Sequence, residues 1–89
     1  MSTKRNVTAV LVDQIVGALA GSIKFWSQDG VTRGMHFVCP CGCGSVLGVE
    51  FPPWTWNGDR ERPTVTPSIQ HMNGCKWHGF LTDGEFREC

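Results

Sequence analysis

Apolar and polar residues alternate along several short segments, with the period of two expected of half-buried β-strands. The clearest apolar sets, in "GMHFVC" and "SVLGVEF", are Met35, Phe37 and Cys39, then Leu47, Val49 and Phe51. His36 falls on the opposite face of its segment and is expected to face solvent. The segment "TVTPSIQ" also predicts a strand, and Pro67 places it at a sheet edge because proline has no backbone N–H to donate.

Turn signals separate these segments. Asp29-Gly30 and Asp83-Gly84 each lie between β-prone residues, which is typical of two-residue hairpin loops. Asn57-Gly58 and Asn73-Gly74 mark two further turns. The predicted fold is therefore mainly β: a small, antiparallel, hairpin-rich domain.

Residues 7–20 fit two patterns. Val7, Ala9 and Leu11 alternate like a strand, whereas Leu11, Ile15 and Leu19 repeat like a helix. We favour a strand followed by a glycine-rich loop. Residues 1–6 are expected to be flexible.

The chain has 89 residues and a formal net charge of zero. This length predicts one domain, residues 1–89, with a small core that usually needs a metal, a disulfide or a partner to stabilise it. No signal peptide or membrane span is evident, so a reducing cytoplasm is expected, where clustered cysteines bind metals more often than they form disulfides. The neutral charge does not favour nucleic acid as a partner.

Two clusters of soft ligands indicate a zinc site. "CPCGCG" supplies Cys39, Cys41 and Cys43, and "CKWHG" supplies Cys75 and His78. Thiolates and imidazole suit one tetrahedral Zn²⁺, which here would stabilise a zinc-ribbon-like fold.

The choice of ligands within the first cluster stays open. Cys39 and Cys41 are slightly favoured, with Cys43 as the substitute, although Cys39 also continues the apolar face of its strand. Cys89 is expected to be the spare thiol.

The sequence offers little sign of catalysis. A zinc deaminase needs His-x-Glu and Pro-Cys-x-x-Cys, neither of which is present. A Rieske centre needs a second histidine where the first loop offers cysteine. Ser45 and Ser68 have no recognisable His/Asp constellation, so the expectation is that the protein is not an enzyme.

The strongest candidates for a binding surface are aromatic and basic. Trp54 and Trp56 lie on the same side of an extended segment, near Arg60 and Arg62, and Trp77 lies inside the second cysteine cluster. Such residues anchor protein partners or stack on bases. The alternative is that the tryptophans complete a sparse core.

The motifs "GMHFVCPCGCG", "PTVTPSI", "CKWHGFL" and "DGEF" follow one another within residues 21–87. In this order they resemble a family of small bacterial and phage proteins of unknown function. The resemblance implies a metal-binding β-domain, with its core at residues 21–87, and no particular reaction. Some relatives have been labelled ammonia monooxygenase, a name that no residue here supports.

The functional expectation is a zinc-stabilised, non-catalytic interaction module. It would be an accessory protein of a phage or mobile element that binds a host protein in the bacterial cytoplasm, for example as an inhibitor of a host or defence machine. A nucleic-acid-binding zinc domain is the alternative, and a Rieske-like redox protein is the third. The oligomeric state is left open.

Overall fold

The computed structural model describes residues 6–71 and 76–88. The regular structure in these two ranges is entirely β. The strands are β1 Asn6–Thr8, β2 Val10–Leu11, β3 Ser22–Gln28, β4 Val31–Val38, β5 Val46–Glu50, β6 Thr55–Trp56, β7 Val65–Gln70, β8 His78–Thr82 and β9 Glu85–Glu88. No helix that could cross a membrane occurs in this part of the chain.

The strands form two sheets. One has five strands in the order β1-β9-β8-β7-β6, and the other has four in the order β2-β3-β4-β5. Every pairing is antiparallel except that of β2 with β3, which is parallel. The predicted β-domain is confirmed.

The two predicted Asp-Gly hairpins are also confirmed. Asp29 and Gly30 join β3 to β4 with φ of 54° and 76°, and Asp83 and Gly84 join β8 to β9 with φ of 50° and 77°. Two consecutive positive φ values define the type I′ turn, whose twist matches that of the flanking strands. The predicted turn at Asn73-Gly74 lies outside the described residues.

The core lies between the inner faces of the two sheets. Its buried residues are Ile23, Phe25, Met35, Phe37, Cys39 and Val49 from the four-stranded side, and Val65, Ile69, Trp77, Leu81 and Phe86 from the other, with Ala9. The rings of Phe37 and Phe86 meet across the sheets with centroids 5.2 Å apart. The alternation of Met35 and Phe37 therefore predicted the buried face correctly, and His36 on the other face is exposed.

The N-terminal segment contains strands, as favoured from the sequence. β1 pairs with β9 and β2 pairs with β3. The helical stripe is not formed, and Leu11 and Leu19 are 50% and 85% exposed. Asn6 belongs to β1, and the rest of the segment expected to be flexible, residues 1–5, lies outside the described residues.

The edge position predicted for β7 holds for residues 67–70, four of the six residues of the strand. β7 lies between β8 and β6, but β6 pairs only with Val65 and Thr66. From Pro67 onward, no strand in the described part of the chain pairs with the outer edge of β7.

Candidate active site and metal-binding loop

Ser68 and His78 face each other on neighbouring strands of the five-stranded sheet. The Oγ of Ser68 and the Nε2 of His78 are 3.0 Å apart and hydrogen-bonded. When Nε2 is unprotonated, the serine hydroxyl donates this bond. Both side chains are half-buried, so the pair is held by the fold and still reached by solvent.

A local irregularity of β7 brings Ser68 to this position. Val65 pairs with Leu81 and Ile69 pairs with Gly79, so three residues of β7 lie opposite the single residue Phe80. Bulges of this kind re-aim side chains and are common beside active sites.

His78 is fixed from the core side by its neighbour Trp77. The carbonyl oxygen of Trp77 accepts a hydrogen bond from the N–H of His71 at 2.7 Å. The Trp77 ring is only 3% exposed and meets Phe86 edge-on at 6.0 Å. The backbone that leads into His78 is thus anchored in the core.

Within residues 6–71 and 76–88, no carboxylate is hydrogen-bonded to the ring of His78. The arrangement is a half-buried Ser–His pair. Hydroxyl and imidazole within hydrogen-bond distance are the geometry of a nucleophile and its general base.

A second cluster lies in the loop between β4 and β5. The sulfur atoms of Cys39, Cys41 and Cys43 all lie within 4.8 Å of one another. The sulfurs of Cys39 and Cys41 are 3.4 Å apart. Burial decreases along the loop, from buried Cys39 through half-buried Cys41 to exposed Cys43. Three thiols this close can bind a metal ion.

The loop is tight because its ends are tied together. The N–H of Cys39 donates to the carbonyl of Ser45 at 2.8 Å, and the N–H of Gly42 donates to that of Cys39 at 3.1 Å. Gly42 and Gly44 have φ of 91° and 85°, which other residues rarely adopt. These turns bring the sulfur atoms of the three cysteines close together.

The predicted metal ligands are only partly brought together. The three cysteines of the first cluster meet, whereas the ring of His78 contacts Ser68 and is not part of that group. Cys75 and Cys89 lie outside the described residues.

The predicted binding residues pack against the protein. Trp54 and Trp56 are half-buried against the core, and Trp77 is inside it rather than projecting outward. Arg60 stacks over the rings of Phe25 and Trp56 at 4.9 Å and 5.5 Å.

Arg62, two residues after Arg60, forms an ion pair with Asp83 at 2.9 Å. The predicted aromatic and basic residues therefore have partners within the fold, as the core alternative for the tryptophans implies.

Ser68 is the residue of this pair that the sequence alone did not indicate, because no His/Asp constellation could be recognised for it. Pairing "PSIQ" with "HGFL" places Ser68 diagonally across from His78, and this register is set by the sheet rather than by a motif.

Comparison with known proteins gives one match. The model of the family described as "Bacterial ubiquitination-like system serine protease (BubE)" matches residues 12–89. No curated protein and no solved structure matches the chain.

This match overturns two expectations. A non-catalytic interaction module was predicted, with nucleic-acid binding and redox chemistry as alternatives, and the protein was expected not to be an enzyme. Both are wrong, because the family is described as a serine protease. The physical reason for the error is that a Ser–His contact made by strand pairing, such as that of Ser68 and His78, has no contiguous motif in the sequence. The resemblance to small bacterial proteins is confirmed, and the chain belongs to the BubE family of bacterial ubiquitination-like system serine proteases.

Proposed function

We propose that the protein cleaves a peptide bond in a protein of a bacterial ubiquitination-like system, with Ser68 as nucleophile and His78 as general base. The observation that carries this proposal is the 3.0 Å contact between Ser68 Oγ and His78 Nε2. The family description supplies the reaction class.

The pair can perform both halves of the reaction. As Oγ of Ser68 attacks the substrate carbonyl, Nε2 of His78 takes the hydroxyl proton. The same proton then passes to the leaving amine when the C–N bond breaks, which leaves an ester on Ser68. Water attacks the ester, giving its proton to His78, and the serine hydroxyl is restored as the acid product leaves.

Orientation of His78 is the task that an aspartate performs in a triad. In this chain, the residue that precedes His78 is held in the core. His78 is the first residue of β8, and the buried ring of Trp77 precedes it.

We also propose one structural Zn²⁺ at Cys39, Cys41 and Cys43, with Cys75 as the fourth ligand. Tetrahedral zinc with Zn–S bonds of about 2.3 Å separates its sulfurs by about 3.8 Å. The observed limit of 4.8 Å for the group and the 3.4 Å between the sulfurs of Cys39 and Cys41 bracket that value. The soft, all-sulfur donor set favours zinc over magnesium or calcium. As a closed structural site, it would take no part in peptide cleavage.

A fluorophosphonate probe tests the proposed nucleophile without a known substrate. The probe phosphonylates an activated serine, so the wild-type protein should be labelled at Ser68 in the tryptic peptide map. Ser68→Ala should abolish labelling, whereas Ser45→Ala, the matched control in the cysteine loop, should leave it unchanged. Labelling that persists in Ser68→Ala would mean that the nucleophile is elsewhere.

A further inference from the structure

The open edge of β7 begins beside the proposed nucleophile. β6 ends its pairing at Thr55, which faces Thr66. Continuing that register would bring Pro53 opposite Ser68, but Pro53 has no N–H and lies in a turn. Among the described residues, the edge at Ser68 and Gln70 is therefore not covered by a strand, and Gln70 is exposed.

Backbone alternation shows which groups point toward this edge. The N–H of His71 donates to the carbonyl of Trp77 across β7 and β8. In an antiparallel pair, hydrogen-bonded and non-hydrogen-bonded positions alternate. Ile69, paired with Gly79, therefore directs its N–H and C=O toward β8, and those of Gln70, paired with His78, point the other way.

The β6 side shows where the covered part of this edge ends. The N–H of Asn57 donates to the carbonyl of Thr64. Alternation from that pair directs the main-chain groups of Thr66 toward β6. Ser68 lies between these two regular stretches, within the irregularity of β7, so Gln70 is the residue whose main-chain groups are directed at the uncovered edge.

We infer that the substrate binds as an extended strand on the edge of β7, antiparallel to it and in line with β6. This inference rests on the proposed protease function and specifies how its substrate is held. The residue whose carbonyl is attacked lies opposite Ser68, and the residue two positions before it lies opposite Gln70. Main-chain bonds of this kind recognise extended peptides with little dependence on sequence.

The inference also specifies the kind of substrate. A segment can lie along the edge only if its own N–H and C=O groups are not already paired. The target is therefore a flexible tail or linker of the substrate protein, not a bond within its sheet or helices.

A set of peptide boronates tests this inference with the full chain. A boronic acid takes the place of the attacked carbonyl and bonds to the serine oxygen, so binding is measured as protection against the fluorophosphonate probe. The probes are tetrapeptide boronates with mixed side chains, in three sets. The first set is unmodified. The second carries an N-methyl group on the residue two positions before the boron-bearing residue, and the third carries it on the residue immediately before the boron-bearing residue.

The unmodified boronates should protect Ser68. N-methylation two residues before the boron should weaken protection roughly tenfold, because it removes the donor to the Gln70 carbonyl and crowds the edge. N-methylation at the residue between should leave protection within roughly threefold, because that N–H points away from β7.

Other results would contradict edge binding alone or the protease proposal as well. Equal protection by both methylated sets, or no protection by the unmodified set while the probe labels Ser68, overturns edge binding and leaves the proposed protease intact. If the probe does not label Ser68 at all, the protease proposal fails, and edge binding fails with it.

Discussion

The cysteine loop and the Ser–His pair are built in different ways. The loop gathers three sulfurs from five consecutive positions, and its hydrogen bonds close within residues 39–45. The pair joins two strands, and its geometry depends on three residues of β7 lying opposite one of β8. One site is formed by local chain geometry and the other by the register of a sheet. The loop should therefore control stability, and the pair should control activity.

The largest effect is expected from the loop. Cys41→Ser should remove one ligand of the proposed zinc, and bound structural zinc contributes an apparent ~10–16 kcal/mol in small metal-dependent domains. That exceeds or equals the whole stability of most domains, about 5–15 kcal/mol, so the variant should be largely unfolded. Circular dichroism and zinc content by elemental analysis measure this. Cys89→Ser is the matched control and should bind one zinc and melt like the wild type.

An iron-containing, coloured wild-type protein would contradict the zinc assignment. A folded Cys41→Ser variant with its metal retained would show that Cys41 is not needed as a ligand.

The next effect separates catalysis from folding. His78→Ala should slow fluorophosphonate labelling by roughly 10²–10⁴-fold, the contribution of a positioned general base. Zinc content should stay unchanged, because the His78 ring contacts Ser68 and not the cysteine group. The labelling rate and the zinc content of the same preparation show whether His78 acts as a general base or as a zinc ligand. Loss of zinc in His78→Ala would show that His78 is a zinc ligand, and the two sites would then not be separate.

A change away from both sites should affect stability alone. Trp56 packs against Phe25 and Phe51 with ring centroids 4.7 Å and 5.7 Å away and also carries the guanidinium of Arg60. Trp56→Ala should cost about 2–3 kcal/mol, less than the ~3–5 kcal/mol of a fully buried tryptophan because the ring is half-exposed. Urea unfolding measures the loss, and labelling below the transition should match the wild type. An unchanged midpoint would show that Trp56 is a surface residue after all.

The smallest effect concerns pH and the loop before β7. Backbone hydrogen bonds from Arg62 and Glu61 hold the pKa of Asp59 below its ordinary value of 3.8. A lowered folded-state pKa means that this carboxylate contributes stability above 3.8, and the contribution is lost as the pH falls through the lowered value. The effect is small because Asp59 is fully exposed.

Asp59→Asn should remove this part of the acid dependence. Melting temperatures of variant and wild type, measured from neutral pH to below 3.8, should converge at the acidic end. A difference in melting temperature between variant and wild type that grows as the pH falls would contradict this role of Asp59.

Local patterns predicted the local features of the fold. Asp29-Gly30 defined a hairpin because its dihedral angles depend only on those two residues. Met35 and Phe37 identified the buried face of β4 because alternation along a strand is fixed by its geometry. The cysteine cluster was visible for the same reason, since its sulfurs are close in sequence.

Features set by pairing between distant segments were missed. The parallel pairing of β2 with β3 has no local signature. Ser68 could be recognised only by knowing that β7 carries two more residues than β8 between the same two rungs. A one-residue change of that register would turn Ser68 away from His78, and no spacing rule within the sequence specifies it.

Gly79, directly after His78, should not tolerate replacement by any other residue. A methyl group at this position would lie 2.6 Å from Cζ2 of Trp77 and against the carbonyl oxygen of Arg87. Crowding of this kind forces the backbone of β8 or β9 or the Trp77 ring to move, and His78 lies between Trp77 and Gly79 in the chain. Every nucleotide change that replaces glycine introduces a Cβ or a stop codon, so no single missense mutation at codon 79 spares this contact. Random mutagenesis of the gene followed by selection for cleavage should therefore return codon 79 only with synonymous changes.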